Sequence, residues 1–367
     1  MNVLVYQIGQ LGDTLVSIPA LRAVRRYFGQ SARIIMLHDV IGRLVTAEMV
    51  LGGCGLVDGF IPYPARVRGK KLRTMAALRR RLCREDFDAV VSLLPSDRPR
   101  WSLVRDRLFF RACGIRRLIG FEPYSAAEIR PRLASGRPAP IPNEANFRLR
   151  RLVAAGIGSA AEGLFDAPLL TVDRQAEQTM DRWLEHRRRY PLRPLVALCP
   201  GCKKPGNAWP VERFLEIARR LLRLEQFELV ILGGPAERAL ADSMVSALGG
   251  EAIQAAGGFA VMESAALLSR CNLSIGLDTG TSHLAASVGV PCVVLQSANS
   301  YPGQWNPLGE GHTVVRANVG CDGCLLQTCP VAGHPCMRDI TVERAWQAIE
   351  KATQRIEYEH YASHSHV

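Results

Sequence analysis

The sequence lacks any uncharged apolar run of about 18 residues, the length a helix needs to cross a bilayer. Its start, Met1-Asn2-Val3-Leu4-Val5, has no basic flank and too short an apolar run for a signal peptide. We therefore expect a cytoplasmic protein without a transmembrane segment. In that compartment the 11 cysteines are expected to be reduced thiols or metal ligands rather than disulfides.

Two familiar ligand-binding patterns are also missing. A nicotinamide dehydrogenase would use Gly9-x-x-Gly12 as its phosphate loop and Asp39 for the ribose, but the full G-x-G-x-x-G pattern is absent. Arginines are abundant, yet Tyr and Phe do not interleave them and no nucleic-acid-binding motif is present. The sequence therefore disfavours both a dehydrogenase and a nucleic-acid partner.

Acidic residues are scarce in one half of the chain. The net charge of +12 lies wholly in residues 1–165, because residues 166–367 carry slightly more acidic than basic side chains. The basic side chains are densest from Arg66 to Arg84, which includes Arg79, Arg80 and Arg81. Such a half is expected to attract an anionic partner, although a single basic helix is more often just solvated.

Length and pattern predict two α/β domains. A chain of 367 residues with 48% apolar content can bury two cores. Apolar strands alternate with helical patterns, which favours parallel sheets covered on both faces. The first helical patterns are at residues 13–27 and 41–50, and the predicted strands are at residues 3–8, 33–37, 89–94, 118–121, 195–198, 227–232, 272–277 and 292–295. We place the first domain at residues 1–175, the second at 176–340, and a C-terminal helix and tail at 341–367, with a loop at 123–142.

One stretch carries the strongest ligand-binding pattern. The apolar strand predicted at residues 272–277 breaks at Asp278-Thr279-Gly280, and a small-residue helix restarts from about residue 281 with His283 in its first turn. A strand that enters a helix through such a turn leaves unpaired backbone N–H groups, which suit a phosphate. The alternative is purely structural: Asp278 caps the helix and His283 is a helix-start donor.

Four blocks in a fixed order resemble glycosyltransferase family 9, the heptosyltransferases of lipopolysaccharide core assembly. They are Ile8-Gly9-Gln10-Leu11-Gly12-Asp13-Thr14-Leu15; Pro200-Gly201 with Trp209-Pro210-Val211-Glu212-Arg213-Phe214; Leu232-Gly233-Gly234-Pro235-Ala236-Glu237; and Asp278-Thr279-Gly280 with Trp305-Asn306-Pro307-Leu308-Gly309. The resemblance implies a GT-B fold, with two Rossmann-like domains facing a central cleft and the C-terminal helix crossing back. It also implies an inverting transfer from ADP-heptose that requires no cofactor.

The resemblance assigns roles to residues of the first domain, which would bind the acceptor. Asp13 matches the family's catalytic base, which takes the proton of the acceptor hydroxyl, and Gly12 lies beside it. Asp13 could also be only a helix cap. We expect Arg79, Arg80 and Arg81 to capture an anionic lipopolysaccharide-type acceptor at the inner-membrane surface, where the protein would be peripheral.

In the second domain the resemblance implies a nucleotide-sugar site. Thr279 and Gly280 should contact the donor phosphates beside His283, while Asp278 orders the turn. Glu237 matches a position that accepts hydrogen bonds from the ribose, and Phe259 one that lies against adenine. Each has a structural alternative, a helix-start carboxylate for Glu237 and a core position for Phe259.

The chain departs from the family pattern at one position. Relatives commonly have a basic residue just before the Trp-Pro pair, where it neutralises the donor diphosphate, whereas this chain reads Asn207-Ala208-Trp209-Pro210. Lys203 and Lys204 precede it in the same loop and would have to replace that charge. A non-catalytic family member is therefore an open alternative, as is a protein hydroxyl as the acceptor.

Four cysteines cluster near the C-terminus as Cys321-x2-Cys324-x4-Cys329-x6-Cys336. Four thiolates at short spacing suit a structural zinc or iron ion. The spacing is not that of a zinc ribbon, so reduced thiols in a packed loop are an equal alternative.

Overall fold

The computed structural model describes residues 1–40, 45–63, 71–158 and 163–364, with the side chains of residue 71 and of residues 357–364 left out. Parts of two predictions lie outside these ranges: the start of the helix predicted at 41–50, and the basic residues Arg66, Arg68 and Lys70. The chain forms two compact units. The first comprises Met1–Pro131 and Ile141–Leu170, and the second comprises Arg132–Pro140 and Thr171–Val367.

The first unit is built on a five-stranded parallel sheet with the strand order β3-β2-β1-β4-β5. Its strands are β1 (Asn2–Gln7), β2 (Arg33–Asp39), β3 (Gly59–Tyr63), β4 (Ala89–Ser92) and β5 (Arg117–Ile119). Its helices are α1 (Leu11–Leu15), α2 (Ile18–Phe28), α3 (Ala47–Leu51), α4 (Lys71–Glu85), α5 (Arg100–Ala112), α6 (Ala126–Ile129) and α7 (Glu144–Ala154).

The helix predicted at residues 13–27 is two helices. α1 ends after Leu15, and α2 begins at Ile18 with Pro19 in its first turn. Proline is favourable there because the N–H that it lacks would have no partner within the helix. The break leaves α1 as a short helical turn directly after β1, which keeps Asp13 at the end of that strand.

The second unit has a six-stranded parallel sheet with the order β11-β10-β9-β6-β7-β8. Its strands are β6 (Leu195–Cys199), β7 (Glu228–Ile231), β8 (Ala252–Gln254), β9 (Leu273–Leu277), β10 (Cys292–Gln296) and β11 (Thr313–Arg316). Its helices are α8 (Arg174–Glu185), α9 (Val211–Arg223), α10 (Arg238–Ala247), α11 (Val261–Ser269), α12 (Gly280–Ser287), α13 (Pro335–Arg338) and α14 (Val342–His364).

Two parallel α/β sheets confirm the predicted fold class. The domain limits differ in detail from those expected. The chain enters the second unit at Thr171, and residues 132–140 and 341–367 also belong to that unit. α14 packs there through Ala345, Ile349 and Ile356, which lie in the same core as strands β6, β7 and β9. Among the described residues, no helix combines the length and the hydropathy that crossing a membrane requires.

Candidate functional site

Asp13 lies at the carboxyl end of β1, where open α/β sheets place their ligands. Its carboxylate accepts a hydrogen bond from the backbone N–H of Gln10 at 3.0 Å. The guanidinium of Arg148, on α7, donates to the main-chain carbonyl of Asp13 at 2.7 Å and lies 3.5 Å from its carboxylate. The Asp13 side chain is 22% exposed and that of Arg148 is fully buried, so a buried cation contacts a partly exposed carboxylate.

Gly9 and Gly12 flank this aspartate. A side chain at Gly9 would put its Cβ 2.3 Å from the Cβ of Asp13, a distance that real atoms do not reach. Gly9 therefore makes room for the Asp13 side chain, which gives the Gly9-x-x-Gly12 turn a use other than a dinucleotide phosphate loop. Gly12 is within α1, directly before Asp13.

A row of buried charges, which was not predicted from the sequence, lies on α7. Glu144, Arg148 and Arg151 are spaced i, i+4 and i+7, so they share one helix face, and each is at most 2% exposed. Glu144 accepts hydrogen bonds from the N–H and the hydroxyl of Ser96, which follows β4. Arg151 donates to the carbonyls of Leu94 and Glu122. α7 thus fastens the loops that follow β1, β4 and β5.

The predicted acceptor-binding arginines of α4 lie at the opposite end of the sheet from Asp13. Arg79 donates to the carbonyl of Ala112, the last residue of α5, where the chain turns back toward β5. Arg81 lies 4.0 Å from Glu85, which also pairs with Arg33, the first residue of β2. A six-residue strand separates the two ends by about 20 Å. The structure therefore does not bring Arg79, Arg80 or Arg81 to Asp13.

In the second unit, Thr279 stands at the N-cap of α12 with extended backbone, but its side chain makes no capping bond. Its hydroxyl is buried and has no hydrogen-bond partner among the described residues. Buried hydroxyls are normally paired, so this one is unusual. A helix N-terminus presents free N–H groups and a positive dipole end, so the hydroxyl and the helix together form an anion-binding arrangement.

Asp278 holds the turn before α12. Its carboxylate accepts from Gln296 at 3.3 Å, and its main-chain carbonyl accepts from the side-chain amide of Asn207 at 3.3 Å. His283 lies 3.8 Å away and is itself buried against Trp305. Burial raises the pKa of Asp278 to about 6, and the positive charge of Lys204 is the main influence that opposes this rise. The carboxyl therefore changes its charge close to neutral pH.

Gln296 links this turn to the neighbouring strand end. It is the last residue of β10, and its amide oxygen accepts from the guanidinium of Arg316, the last residue of β11, at 3.3 Å. Arg316 also donates to the carbonyls of Ser297, Ala298 and Ser300. Burial lowers the pKa of Arg316. A continuous hydrogen-bonded chain thus crosses the carboxyl ends of three adjacent strands.

Glu237 occupies a space lined by glycines. A Cβ at Gly201 would lie 2.2 Å from its Cγ, and one at Gly233 would lie 2.7 Å from its Cβ. Gly201 follows β6 and Gly233 follows β7, so the absence of side chains at two neighbouring strand ends admits the carboxylate. Partial burial lowers the pKa of Lys203. The negative charge of Glu237 acts in the opposite direction and raises it.

Asn207, near the position where the resemblance implies a basic residue, is buried and has a structural role. Its amide donates to Asp278 as described, and its side-chain oxygen accepts from Asn299 at 2.9 Å. Lys203 and Lys204 are exposed in the loop before it. The charge of Glu237 acts on Lys203 and that of Lys204 acts on Asp278, so this loop places one lysine near each of the two carboxylates.

Phe259 is half-buried and packs edge-on against Trp183 of α8, with the ring centroids 5.0 Å apart. This contact gives it a packing role within the second unit. Its partly exposed ring leaves room for a further contact, so the structure is compatible with both of the roles considered for it.

The four cysteines of the C-terminal cluster line one small, partly open cavity of about 10 Å³, together with His334. Burial and the neighbouring thiols raise the pKa of Cys321. In the described part of the chain, no three His, Cys, Asp or Glu side chains are placed so that they could hold a metal ion. Cysteine and histidine are the ligand types of a structural zinc or iron site, but these side chains are not placed to hold a metal ion in this structure. No step proposed below therefore depends on a metal.

The cysteine segment contacts the loop that carries Lys203 and Lys204. The N–H of Gly206 donates to the carbonyl of Gln327 at 3.0 Å, and the ring of His334 lies 3.1 Å from the carbonyl of Gly206. A Cβ at Gly206 would lie 2.9 Å from the Gln327 carbonyl oxygen. The segment therefore supports the loop at close range.

Comparison with known proteins connects these features. The family model "Glycosyltransferase family 9 (heptosyltransferase)" matches residues 75–334. Lipopolysaccharide heptosyltransferase 2 of Salmonella typhimurium is 26% identical over 162 residues, which are 43% of this chain and 46% of that protein. The chain thus spans about half the length of the curated relatives it matches.

Solved structures share the fold over nearly the whole chain. A glycosyltransferase family 9 protein from Veillonella parvula has a TM-score of 0.74 at 19% identity, covering 96% of this chain and 97% of its own. E. coli ADP-heptose lipopolysaccharide heptosyltransferase II has a TM-score of 0.70 at 19% identity, covering 97% and 100%. With the family model spanning well over half of its residues, the chain belongs to glycosyltransferase family 9.

Proposed function

We propose that the protein is an inverting glycosyltransferase that moves a heptose from ADP-heptose to a hydroxyl of an anionic acceptor, the lipopolysaccharide inner core. Family membership supports the class of reaction. The observation that carries the donor assignment is the buried, unpartnered hydroxyl of Thr279 at the start of α12. A diphosphate oxygen would give this hydroxyl the partner that the described residues do not provide.

In this proposal the second unit binds the nucleotide sugar. The N–H groups at the start of α12 and the Thr279 hydroxyl contact the diphosphate, and Lys203 and Lys204 supply positive charge from the opposing loop. This arrangement stabilises the negative charge that develops on ADP as the bond to the sugar breaks. Glu237 accepts hydrogen bonds from the ribose hydroxyls, and Phe259 contacts the adenine. No cofactor is needed, because protein groups supply all of these charges.

The first unit provides the base. Asp13 takes the proton from the acceptor hydroxyl as that oxygen attacks the anomeric carbon. Its hydrogen bonds to Gln10 and Arg148 fix the orientation of the carboxylate. The basic surplus of the first unit supports an acceptor that carries negative charge and that is presented at the inner-membrane surface.

Thermal unfolding tests the donor assignment. ADP should stabilise the protein more than UDP or GDP. At a concentration of a hundred times its Kd, ADP should raise the free energy of unfolding by about 2.7 kcal/mol relative to the protein without nucleotide. Thr279→Val removes the hydroxyl and keeps the shape, so it should reduce this shift, whereas Thr171→Val at an exposed threonine should not. A larger shift with UDP or GDP would reject ADP as the donor nucleotide.

A mass assay tests the transfer itself. Incubation with ADP-heptose and a deep-rough lipopolysaccharide acceptor should add the mass of one heptose. ADP binding without any transfer to that acceptor would favour a non-catalytic member, and transfer to a protein hydroxyl instead would redirect the acceptor assignment.

A further inference from the structure

Helices α4 and α5 cover the same face of the first sheet. Leu78 and Leu82 of α4 share one core with Leu103 and Phe110 of α5. The hydrogen bond from Arg79 to the carbonyl of Ala112 joins the two helices near their C-terminal ends. Their outer sides therefore form one continuous surface of the first unit.

The outer side of α5 carries an exposed apolar row. Trp101, Val104 and Leu108 are 68%, 47% and 63% exposed, and their i, i+3 and i+7 spacing puts them on one stripe of the helix. On α4, Leu72 is 87% exposed. Large apolar side chains grouped in this way on a surface mark a site of interaction rather than ordinary scatter.

Arginines surround this apolar row. The exposed ones on the two helices are Arg73, Arg79, Arg80, Arg81, Arg84, Arg100, Arg105 and Arg111. The acidic residues of these helices are Glu85, which pairs with Arg33, and Asp106, which is buried and pairs with Arg105. The exposed sides of the two helices therefore combine an apolar row with arginines, and the exposed acidic residues Asp86 and Asp97 lie beyond the helix ends.

These properties select one kind of partner. A second copy of the chain would bring two strongly positive surfaces together, which electrostatics opposes. A nucleic acid would satisfy the arginines but would leave the apolar row without a matching surface. An anionic lipid bilayer satisfies both, because the headgroups attract arginine and the interface accepts Trp and Leu side chains.

The position of the surface also fits a role near the site. α5 follows β4, so Trp101 in its first turn lies at the carboxyl end of the sheet, where Asp13 follows β1. The arginines of the second half of α4 lie toward the other end, as the pairing of Glu85 with Arg33 at the start of β2 shows. Trp101, an aromatic side chain that is 68% exposed, is thus at the same edge as the proposed base.

We propose that the outer surface of α4 and α5, hereafter the docking face (Leu72, Arg73, Arg80, Arg84, Trp101, Val104, Leu108 and Arg111), binds the surface of an anionic phospholipid bilayer. The binding itself does not depend on the transfer reaction. Its use, which is to bring the carboxyl edge of the first sheet to a lipid-linked acceptor, rests on the proposed function. This assignment gives the α4 arginines a role that does not require them to reach Asp13.

Vesicle flotation tests the proposal with the full chain. The protein should float with vesicles of phosphatidylethanolamine and phosphatidylglycerol, and not with vesicles of phosphatidylcholine, and added salt should weaken the binding. The variant Arg73→Gln/Arg80→Gln/Arg111→Gln should bind about a hundredfold more weakly, at about fivefold for each arginine near an anionic surface. Trp101→Ser/Leu108→Ser should lose at least about tenfold.

Matched controls lie in the second unit, where Leu192 is 84% exposed and Arg174 is also exposed. Leu192→Ser and Arg174→Gln should bind vesicles like the unchanged protein. Vesicle binding that survives both docking-face variants would overturn the proposal, as would binding to duplex DNA that is tighter than binding to the vesicles.

The stabilisation by ADP separates this proposal from the proposed function. It should be unchanged in every docking-face variant, which also shows that each variant is folded. Vesicle binding that depends on the docking face in a protein that ADP does not stabilise would refute the donor assignment and leave the docking face standing. A protein that ADP stabilises, but whose vesicle binding does not depend on the docking face, would refute only the docking face.

Discussion

The buried guanidinium of Arg148 contacts Asp13 at both its main-chain carbonyl, at 2.7 Å, and its carboxylate, at 3.5 Å. The two groups are 135 residues apart in sequence. A carboxylate held on one side by an immobile cation and on another by the N–H of Gln10 has few orientations left. That restriction is what a general base requires, because proton transfer depends on geometry before it depends on pKa.

Asp13→Asn tests the base directly. Turnover should fall by about 10²–10⁴-fold, the usual share of general acid–base catalysis, because an amide cannot take the proton. ADP affinity should not change, since the proposed donor groups belong to the second unit. Asp173 caps α8 through the N–H of Ala176 and has no proposed role in the reaction. Asp173→Asn is therefore the control, and near-normal turnover in Asp13→Asn would reduce Asp13 to a helix cap.

Arg148 is expected to act as a positioning residue. Arg148→Met should lower kcat with little effect on KM for the donor, and Arg148→Lys should restore part of the loss. A double-mutant cycle distinguishes this role from a general loss of stability. In the Asp13→Asn background, Arg148→Met should cost almost nothing more in kcat. Losses that simply multiply would mean that Arg148 acts independently of Asp13.

ADP affinity should depend on pH through Asp278, whose pKa is raised to about 6 by burial. Ionisation of this carboxyl beside a bound diphosphate is unfavourable, so affinity should fall as the pH rises above about 6, by at most about tenfold per pH unit. Lys204, Gln296, Arg316 and His283 are the polar and charged groups around it.

The variant Asp278→Asn provides the reference for this pH dependence, because it retains the titration of ADP itself. The ADP affinities of the unchanged protein and of Asp278→Asn should differ above pH 6 and agree below it. The free energy of unfolding should change with pH in the same direction. The pKa of Asp278 in the folded protein lies above its ordinary value of 3.8, so the stabilising contribution of the protonated carboxyl is complete below pH 3.8 and is lost as the pH rises through about 6. Identical profiles for both proteins would remove Asp278 from the donor site.

Gly206→Ala tests whether the cysteine segment supports the donor loop. The added Cβ would lie 2.9 Å from the Gln327 carbonyl oxygen, so the loop carrying Lys203 and Lys204 must shift. We expect a several-fold loss of ADP affinity in isothermal titration. Gly320 has no atom within 4 Å of a built Cβ and is exposed, so Gly320→Ala is the matched control. Equal affinities in the two variants would show that the support is not needed.

The interior of the fold was predictable from the sequence, and its margins were not. The central strands β1, β4, β6 and β9 are mostly apolar and buried, so they were predicted to within two residues at each end. The missed strands, β3, β8 and β11, all lie at sheet edges. Edge strands are short and less completely covered, and β3 contains a proline, Pro62, which is tolerated at an edge.

The candidate site was predictable where it is local in sequence. The turn at Asp278-Thr279-Gly280 and the position of Asp13 follow from a strand that leads directly into a helix. The partners of these residues come from distant segments: Arg148 for Asp13, and Asn207 and Gln296 for Asp278. Only the 4- and 7-residue spacing of Glu144, Arg148 and Arg151, which puts them on one helix face with Ala145 and Leu152, could have indicated buried charges.

The charged row on α7 has a consequence for exchanging segments between relatives. The chain leaves the first unit after Pro131 and returns to it at Ile141, before α7 begins. A chimera joined between these points would take Asp13 from one parent and Arg148 from the other. Both parts could fold while the orientation of the proposed base was lost, so a functional graft of the first unit must carry its own α7.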